Sequence, residues 1–364
     1  MKNQHMSRIT VALIAAMLVG GGIAAFAAPI RIGAILTLSG NTAAQGETMR
    51  DALLLAADEV NSKGGVNGNK IELIFEDSKL DPAVAVEAFN RMETSKVPLL
   101  YLANSSTICL ALAPLAEEKR VILMGISTTA KEVTQARAWT FRYWPLGQAY
   151  IPVLSRILQN LKLKKIGMLY QNDPFGKEQQ QLLSKEFEAM GGQIASVLVE
   201  MTATDFRPQI AQMKDREAIY IACSGTLLTG ILKQLKEQNY QGKILSSGFS
   251  YQTSLFGLPE AQGVYLTAPV IYNPNYLYAR ELADKFFAKY KKGIDAAGSV
   301  GYDLVRLFAG LLEDREVSRQ GLRNVLDAGF DYSGVFGSVR LKPGEHDLTF
   351  PIYPVQVVNG SLKY

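Results

Sequence analysis

Two cysteines and two histidines in 364 residues leave this sequence poorly supplied with the usual metal ligands and proton carriers. Zinc sites built from Cys and His, iron–sulfur ligation and most histidine-based acid–base chemistry are disfavoured by that shortage. Net charge is also sparse. Thirty-eight Lys and Arg against 34 Asp and Glu give +4, with no basic block or basic helical face, so no nucleic-acid partner is expected. The G-x-G-x-x-G and P-loop patterns are missing, which moves nucleotide chemistry out of the front rank, and no CxxC redox pair occurs. What the chain does have is apolar content: 48% hydrophobic residues over a length sufficient for two globular domains.

One long apolar run is present, ITVALIAAMLVGGGIAAFA, preceded by Lys2 and Arg8 and ending in small residues. This is the form of a secretory signal peptide, with cleavage expected after Ala25-Phe26-Ala27. Gly20-Gly21-Gly22 interrupts the run, which argues against a retained membrane anchor, and no cysteine near the cleavage point suggests lipid attachment. The mature chain is thus expected outside the cytoplasmic membrane, in the periplasm, with His346 as its one histidine. Export permits disulfides. Cys109 and Cys223 nevertheless lie far apart in sequence and on opposite sides of an expected hinge, so two separate buried thiols are expected.

The rest alternates short apolar strands with amphipathic helices. Strands are expected at 30–36, 71–77, 98–104 and 121–127, with helices at 47–61, from Asp81-Pro82, and at 108–119. The grammar restarts with strands at 164–173, 193–201, 217–223 and 243–249 and helices at 178–190, 206–214 and 227–238. Helices at 276–291, 299–313 and 318–327 and two short strand segments, FGSVRL and PVQVVNG, follow. Two βαβ series imply an α/β protein of two Rossmann-like lobes with parallel-type sheets, joined by a multi-segment hinge. The expected boundaries are a signal peptide at 1–27, a first lobe at 28–143 to which part of 275–330 returns, a second lobe at 144–274, and hinge-crossing strands at 331–364.

Open parallel sheets bind ligands outside the carboxyl ends of their strands, where helix N-termini present unpaired N–H groups. That rule nominates the turns Asn104-Ser105-Ser106-Thr107 and Ser127-Thr128-Thr129. Hydroxyls and backbone N–H groups converging there suit a carboxylate, although Ser and Thr also cap helices at such turns. Aromatic residues Tyr143, Trp144, Tyr150, Phe175, Phe249 and Tyr251 lie on cleft-side or hinge segments and suit an apolar ligand body.

The stretches IRIGAILTLSGNTAAQGETMRDALLLAADEVNSKGGVNGNKIELIFEDSKLDPAVAV, NSSTICLALAPLAEEKRVILMGISTTAKEVT, IGMLYQNDPFGKEQ and DYSGVFGSVRL resemble the type I periplasmic solute-binding proteins of the leucine/isoleucine/valine-binding family. The resemblance implies a cofactor-free receptor that closes two lobes over a small carboxylate-bearing solute and delivers it to the membrane permease of an ABC importer. A monomer is expected. It also implies that Ser105 or Ser106 and Thr129 bind the carboxylate and that Ser127 offers a carbonyl to an α-ammonium. Gln45, Phe175 and Ser224 fall where family aromatics cover the ligand.

One departure matters. The second-lobe position that supplies an acid to amino-acid ligands reads Gly248-Phe249, leaving Asp173 and Asp205 as substitutes if they point inward. The expected ligand is a small monocarboxylate, an apolar amino acid or an aromatic or aliphatic organic acid. Two rival readings differ in what they require. An exported hydrolase would need a nucleophile with a base, and His346 in KPGEHD reads as a solvated turn residue. A receptor of the same fold signalling to a membrane kinase or chemoreceptor would differ only in its partner.

Overall fold

The computed structural model describes residues 28–248, 253–273 and 275–364; the expected signal peptide at 1–27, Phe249 and Tyr251 lie outside them. β1 (Ile30–Leu36), α1 (Ala43–Ser62), β2 (Ile71–Asp77), α2 (Pro82–Ser95), β3 (Leu100–Asn104), α3 (Ser106–Lys119), β4 (Ile122–Ile126) and β5 (Thr140–Arg142) build the first lobe. Its five strands pair in parallel in the order β2-β1-β3-β4-β5. Both faces of this sheet are covered. Leu100, Leu102, Ile122 and Met124 enter one core and Tyr101, Ala103 and Leu123 the other, the two-residue alternation of a strand buried on both sides.

α4 (Gly147–Asn160), β6 (Lys165–Gln171), α5 (Pro174–Ala189), β7 (Gln193–Val199), α6 (Arg207–Ala211), β8 (Ala218–Ala222), α7 (Gly225–Glu237), β9 (Lys243–Ser247), α8 (Thr253–Phe256) and β10 (Tyr265–Ala268) repeat the scheme. α9 (Leu277–Tyr290), α10 (Ala296–Leu312), α11 (Arg319–Asp327) and the hairpin β11 (Phe330–Gly334) and β12 (Gly337–Leu341) then pack on the first core. The chain ends in β13 (Tyr353–Val358) and β14 (Ser361–Lys363), which extend the second sheet in antiparallel sense to give β14-β13-β10-β9-β8-β6-β7. The chain therefore passes between lobes after β5, after β10 and again between Leu341 and Tyr353. The last passage is anchored by the buried Arg142, whose Nε lies 2.9 Å from Asp347 Oδ1.

The cleft-side helices begin earlier than apolar periodicity indicates. α1 starts at Ala43, α3 at Ser106, α5 at Pro174 and α7 at Gly225. Their first turns face the cleft instead of the core, so those residues need not be apolar and break the pattern. α4 has no counterpart among the expected helices, although Tyr150, Ile151, Leu154, Ile157 and Leu158 give it a buried stripe.

Candidate functional site

Each sheet reverses its strand order once, between β1 and β3 in the first and between β6 and β8 in the second, and the two reversal points face each other. A carboxamide braces each one. Asn104 Oδ1 at the end of β3 accepts from Thr37 N at 2.8 Å, and Gln171 Oε1 at the end of β6 accepts from Ser224 N at 2.9 Å. Between them lies a cleft of about 70 Å³ lined by Thr42, Gln45, Asn104, Ser105, Ser106, Ser127, Thr129, Trp144, Tyr150, Gln171, Asp173, Phe175, Ser224 and Ser247. At roughly 10–15 Å³ needed to hold one water, this is room for a compact solute. A larger hollow of about 760 Å³ opens behind the hinge beside Lys131, Leu146 and His346, away from the strand ends.

The first-lobe wall is made of hydroxyls and peptide groups. Ser105 caps α3, its Oγ accepting from Ile108 N at 3.3 Å, and both Ser105 (φ 74°) and Ser127 (φ 51°) hold left-handed backbone that is unfavourable for a serine. Ser106 Oγ sits behind them, 3.3 Å from Thr129 N, 3.4 Å from Ala130 N and 2.9 Å from Thr128 Oγ1. Two N–H donors occupy its lone pairs. Its proton is therefore left for Thr128 or for an acceptor in the cleft.

The second-lobe wall is acidic and aromatic. Asp173 caps α5, Oδ1 accepting from Gly176 N at 2.8 Å and Oδ2 from Gln171 Nε2 at 2.7 Å, and burial nonetheless holds its carboxyl above the usual range. Glu178, one turn along α5, reaches the first lobe: its Oε1 accepts from Lys131 N at 3.1 Å. Burial pushes Glu178 up to about 7, partly offset by the Thr129 hydroxyl, the Lys131 N–H and the charge of Arg142, with Glu132 adding to the rise. Trp144 and Tyr150 close the hinge end, the indole N–H bonded to a phenol whose ionisation burial drives far upward. At the opposite mouth, Thr226 N donates to Asn41 O at 3.2 Å, so the lobes touch on both sides of the cleft. Gly225 permits that touch, because it holds φ +58° and a Cβ there would lie 2.1 Å from Asn41 O.

Of the expected site residues, Gln45, Ser105, Ser106, Ser127, Thr129, Trp144, Phe175 and Ser224 share this wall. Three do not. Thr128 is fully buried with its hydroxyl turned onto Ser106, and Tyr143 points to the first core, edge-on to Phe350 at 5.3 Å. Gly248 backs onto the neighbouring strand, 2.7 Å from Ala268 Cβ for an added Cβ. Phe249 is outside the described residues. Asp205 faces solvent and pairs with Arg207 at 2.8 Å, which leaves Asp173 as the inward acid of the two. His346 is half-buried and stacked on Phe141 at 4.2 Å with Nδ1 2.9 Å from Thr140 O, not a solvated turn residue. Thr42, Gln171 and Ser247 were not anticipated; their one signal is position, beside a helix start or at a strand's carboxyl end.

Cys109 and Cys223 are separate buried thiols, and burial raises the first to about 12. Among the described residues no group of three or more His, Cys, Asp or Glu could hold a metal ion, and no helix is long and apolar enough to cross a membrane.

The sequence model of the family described as Periplasmic binding protein matches residues 29–361. The chain belongs to the periplasmic binding protein family. Its members bind solutes and are not enzymes. A Leu/Ile/Val-binding protein homologue from Brucella abortus is 25% identical over 225 residues, 60% of this chain and 60% of that protein, so the chain spans about three-fifths of that relative. The leucine-binding protein structure from Thermotoga maritima superposes with a TM-score of 0.82 at 21% identity, covering 92% of this chain and 97% of the other. An ABC-transporter solute-binding protein from Rhodopseudomonas palustris, solved with 3,4-dihydroxybenzoic acid, gives 0.83 at 20% identity over 92% and 95%. At these identities the likeness is one of fold: two lobes, each with a parallel sheet, in this binding protein as in those.

Proposed function

We propose that this binding protein is the periplasmic solute receptor of an ABC importer and captures a small monocarboxylate by closing its two lobes. The observation that carries the reading is the asymmetric cleft. One wall offers the Ser106 and Thr129 hydroxyls and the Thr129 peptide region, while Trp144, Tyr150 and Phe175 line the remainder with rings. Hydroxyls and N–H groups bind a carboxylate without a lysine or arginine side chain in the wall. The rings suit an apolar or aromatic body.

The leader at 1–27 supports export, the boundary between lobes is set near Tyr143–Trp144, and a single chain suffices to form the site. The solute is an apolar amino acid or an aromatic or aliphatic acid, the classes named for the Thermotoga and Rhodopseudomonas proteins among them. Asp173 lines the cleft and is the group that would face an α-ammonium. No covalent step is required. Contacts from the second lobe favour the closed form by differential affinity.

Isothermal titration with leucine, phenylalanine, benzoate and 3,4-dihydroxybenzoate tests the reading. Tight binding of leucine or phenylalanine with no response to the deaminated acids would remove the organic-acid branch. Silence across the panel and across further carboxylates would remove the carboxylate reading itself.

A further inference from the structure

Arg142 ends β5, is fully buried and lines no part of the cleft. Its guanidinium donates from Nη1 to Thr128 O at 3.3 Å, and from Nη2 to Ala130 O at 2.8 Å and Thr134 Oγ1 at 3.1 Å. Nε lies 2.9 Å from Asp347 Oδ1, and Thr134 Oγ1 donates to the same carboxylate at 2.8 Å. A trans peptide group is planar, so each carbonyl points opposite to the N–H of the following residue. Fixing the Thr128 and Ala130 carbonyls on one guanidinium therefore turns the Thr129 and Lys131 N–H groups the other way. Those are the groups that meet Ser106 Oγ at 3.3 Å and Glu178 Oε1 at 3.1 Å.

We propose that Arg142 is a positioning residue of the cleft: without touching the solute it aims one peptide N–H at Ser106 Oγ, leaving that hydroxyl's proton for the carboxylate, and a second at Glu178 of the opposing lobe. The inference rests on the reading of that cleft as a carboxylate receptor. Arginine is required because its planar fork reaches two carbonyls two residues apart in fixed directions, whereas a lysine ammonium is a single movable point. Asp347 balances the charge, so the contribution to the solute is geometric. Asp347 also lies on the last passage between the lobes, which ties the aim of these N–H groups to the hinge.

The test uses the mature protein, the variants Arg142→Lys and Asp347→Asn, and two carboxylate–amide probe pairs, benzoate against benzamide and leucine against leucinamide. Wild type is expected to prefer a carboxylate over its amide. Arg142→Lys is expected to lower that preference about tenfold or more, and Asp347→Asn less, in variants whose circular dichroism matches wild type. Thr129 and Lys131 amide protons should exchange faster in both. A folded variant with an unchanged preference and unchanged exchange at these two amides overturns the proposal. Arg142→Lys tests the fork directly; if it does not fold, the partly exposed Asp347→Asn decides on the same two readouts. A wild type without carboxylate preference defeats the receptor reading instead, and the amide exchange then still decides whether Arg142 aims these groups.

Discussion

The two walls of the cleft share a plan and differ in chemistry. Each stands at the strand reversal of a parallel sheet, and each is braced by one carboxamide, Asn104 or Gln171, accepting from the backbone of the facing loop. The first wall then presents the Ser106 and Thr129 side chains, Ser106 held from behind by peptide N–H groups, one of which the buried Arg142 orients. The second presents Asp173 and Phe175, with Glu178 reaching across. A common fold thus fixes where a ligand sits, and the residues in the first turn of each helix decide which end of it faces which lobe.

The largest expected effect comes from keeping the walls apart. Gly225→Val introduces a Cβ that meets Asn41 O, so closure should lose about 2–3 kcal/mol and affinity should fall roughly thirtyfold to a hundredfold. Small-angle scattering should show no compaction on adding ligand, and because φ +58° is strained for valine the apo protein should also unfold at a lower temperature, by about 1–3 kcal/mol of stability; undiminished affinity in the folded variant would show that the Asn41 contact is not part of the bound state. Next come the first-wall hydroxyls. Ser106→Ala and Thr129→Ala should each cost about 1–3 kcal/mol of binding, read by calorimetry, and a non-additive loss in the double variant would assign both to one carboxylate. If neither changes affinity, the carboxylate end lies on the other wall.

A smaller effect is set by pH. Glu178 is partly buried where it meets Lys131 N across the lobes, its carboxyl pushed up to about 7 by that burial, and opening would return it toward the ordinary carboxylate range. The closed form then holds the proton more tightly, so closure is favoured most below that ordinary range and loses this advantage as pH rises through about 7. Affinity should fall severalfold between pH 5 and pH 8, and Glu178→Gln should flatten the profile; an unchanged profile in the variant would assign it to Asp173 or to the ligand. Smallest is Asp205→Asn. Its ion pair is exposed, so neither thermal stability nor affinity should move measurably, in contrast to Asp173→Asn.

Much of the wall was legible because the carboxyl end of a parallel strand is a position that can be counted along a sequence. That rule nominates the turns that carry Ser105, Ser106, Ser127 and Thr129, all of which line the cleft. What could not be counted was orientation. Thr128 and Thr129 are neighbours of one composition, yet one hydroxyl turns to Ser106 and the other wall-ward, and Tyr143 and Trp144 part in the same way between core and cleft. Asp173 and Asp205 looked equivalent as well. Burial at the reversal point of the second sheet separates them.

The alternation of strands and helices, with turns where glycine, proline and capping residues stop each element, was enough to determine an α/β chain of two parallel-sheet lobes, because those patterns are local. The scarcity of histidine and cysteine likewise pointed early to hydroxyls, amides and rings as the working groups. Only the tertiary structure decided which of them meet. Contacts such as Arg142 with Asp347, Glu178 with Lys131 N and Thr226 N with Asn41 O join residues that no periodicity relates, and they exist only once three separate passages of the chain bring the lobes together.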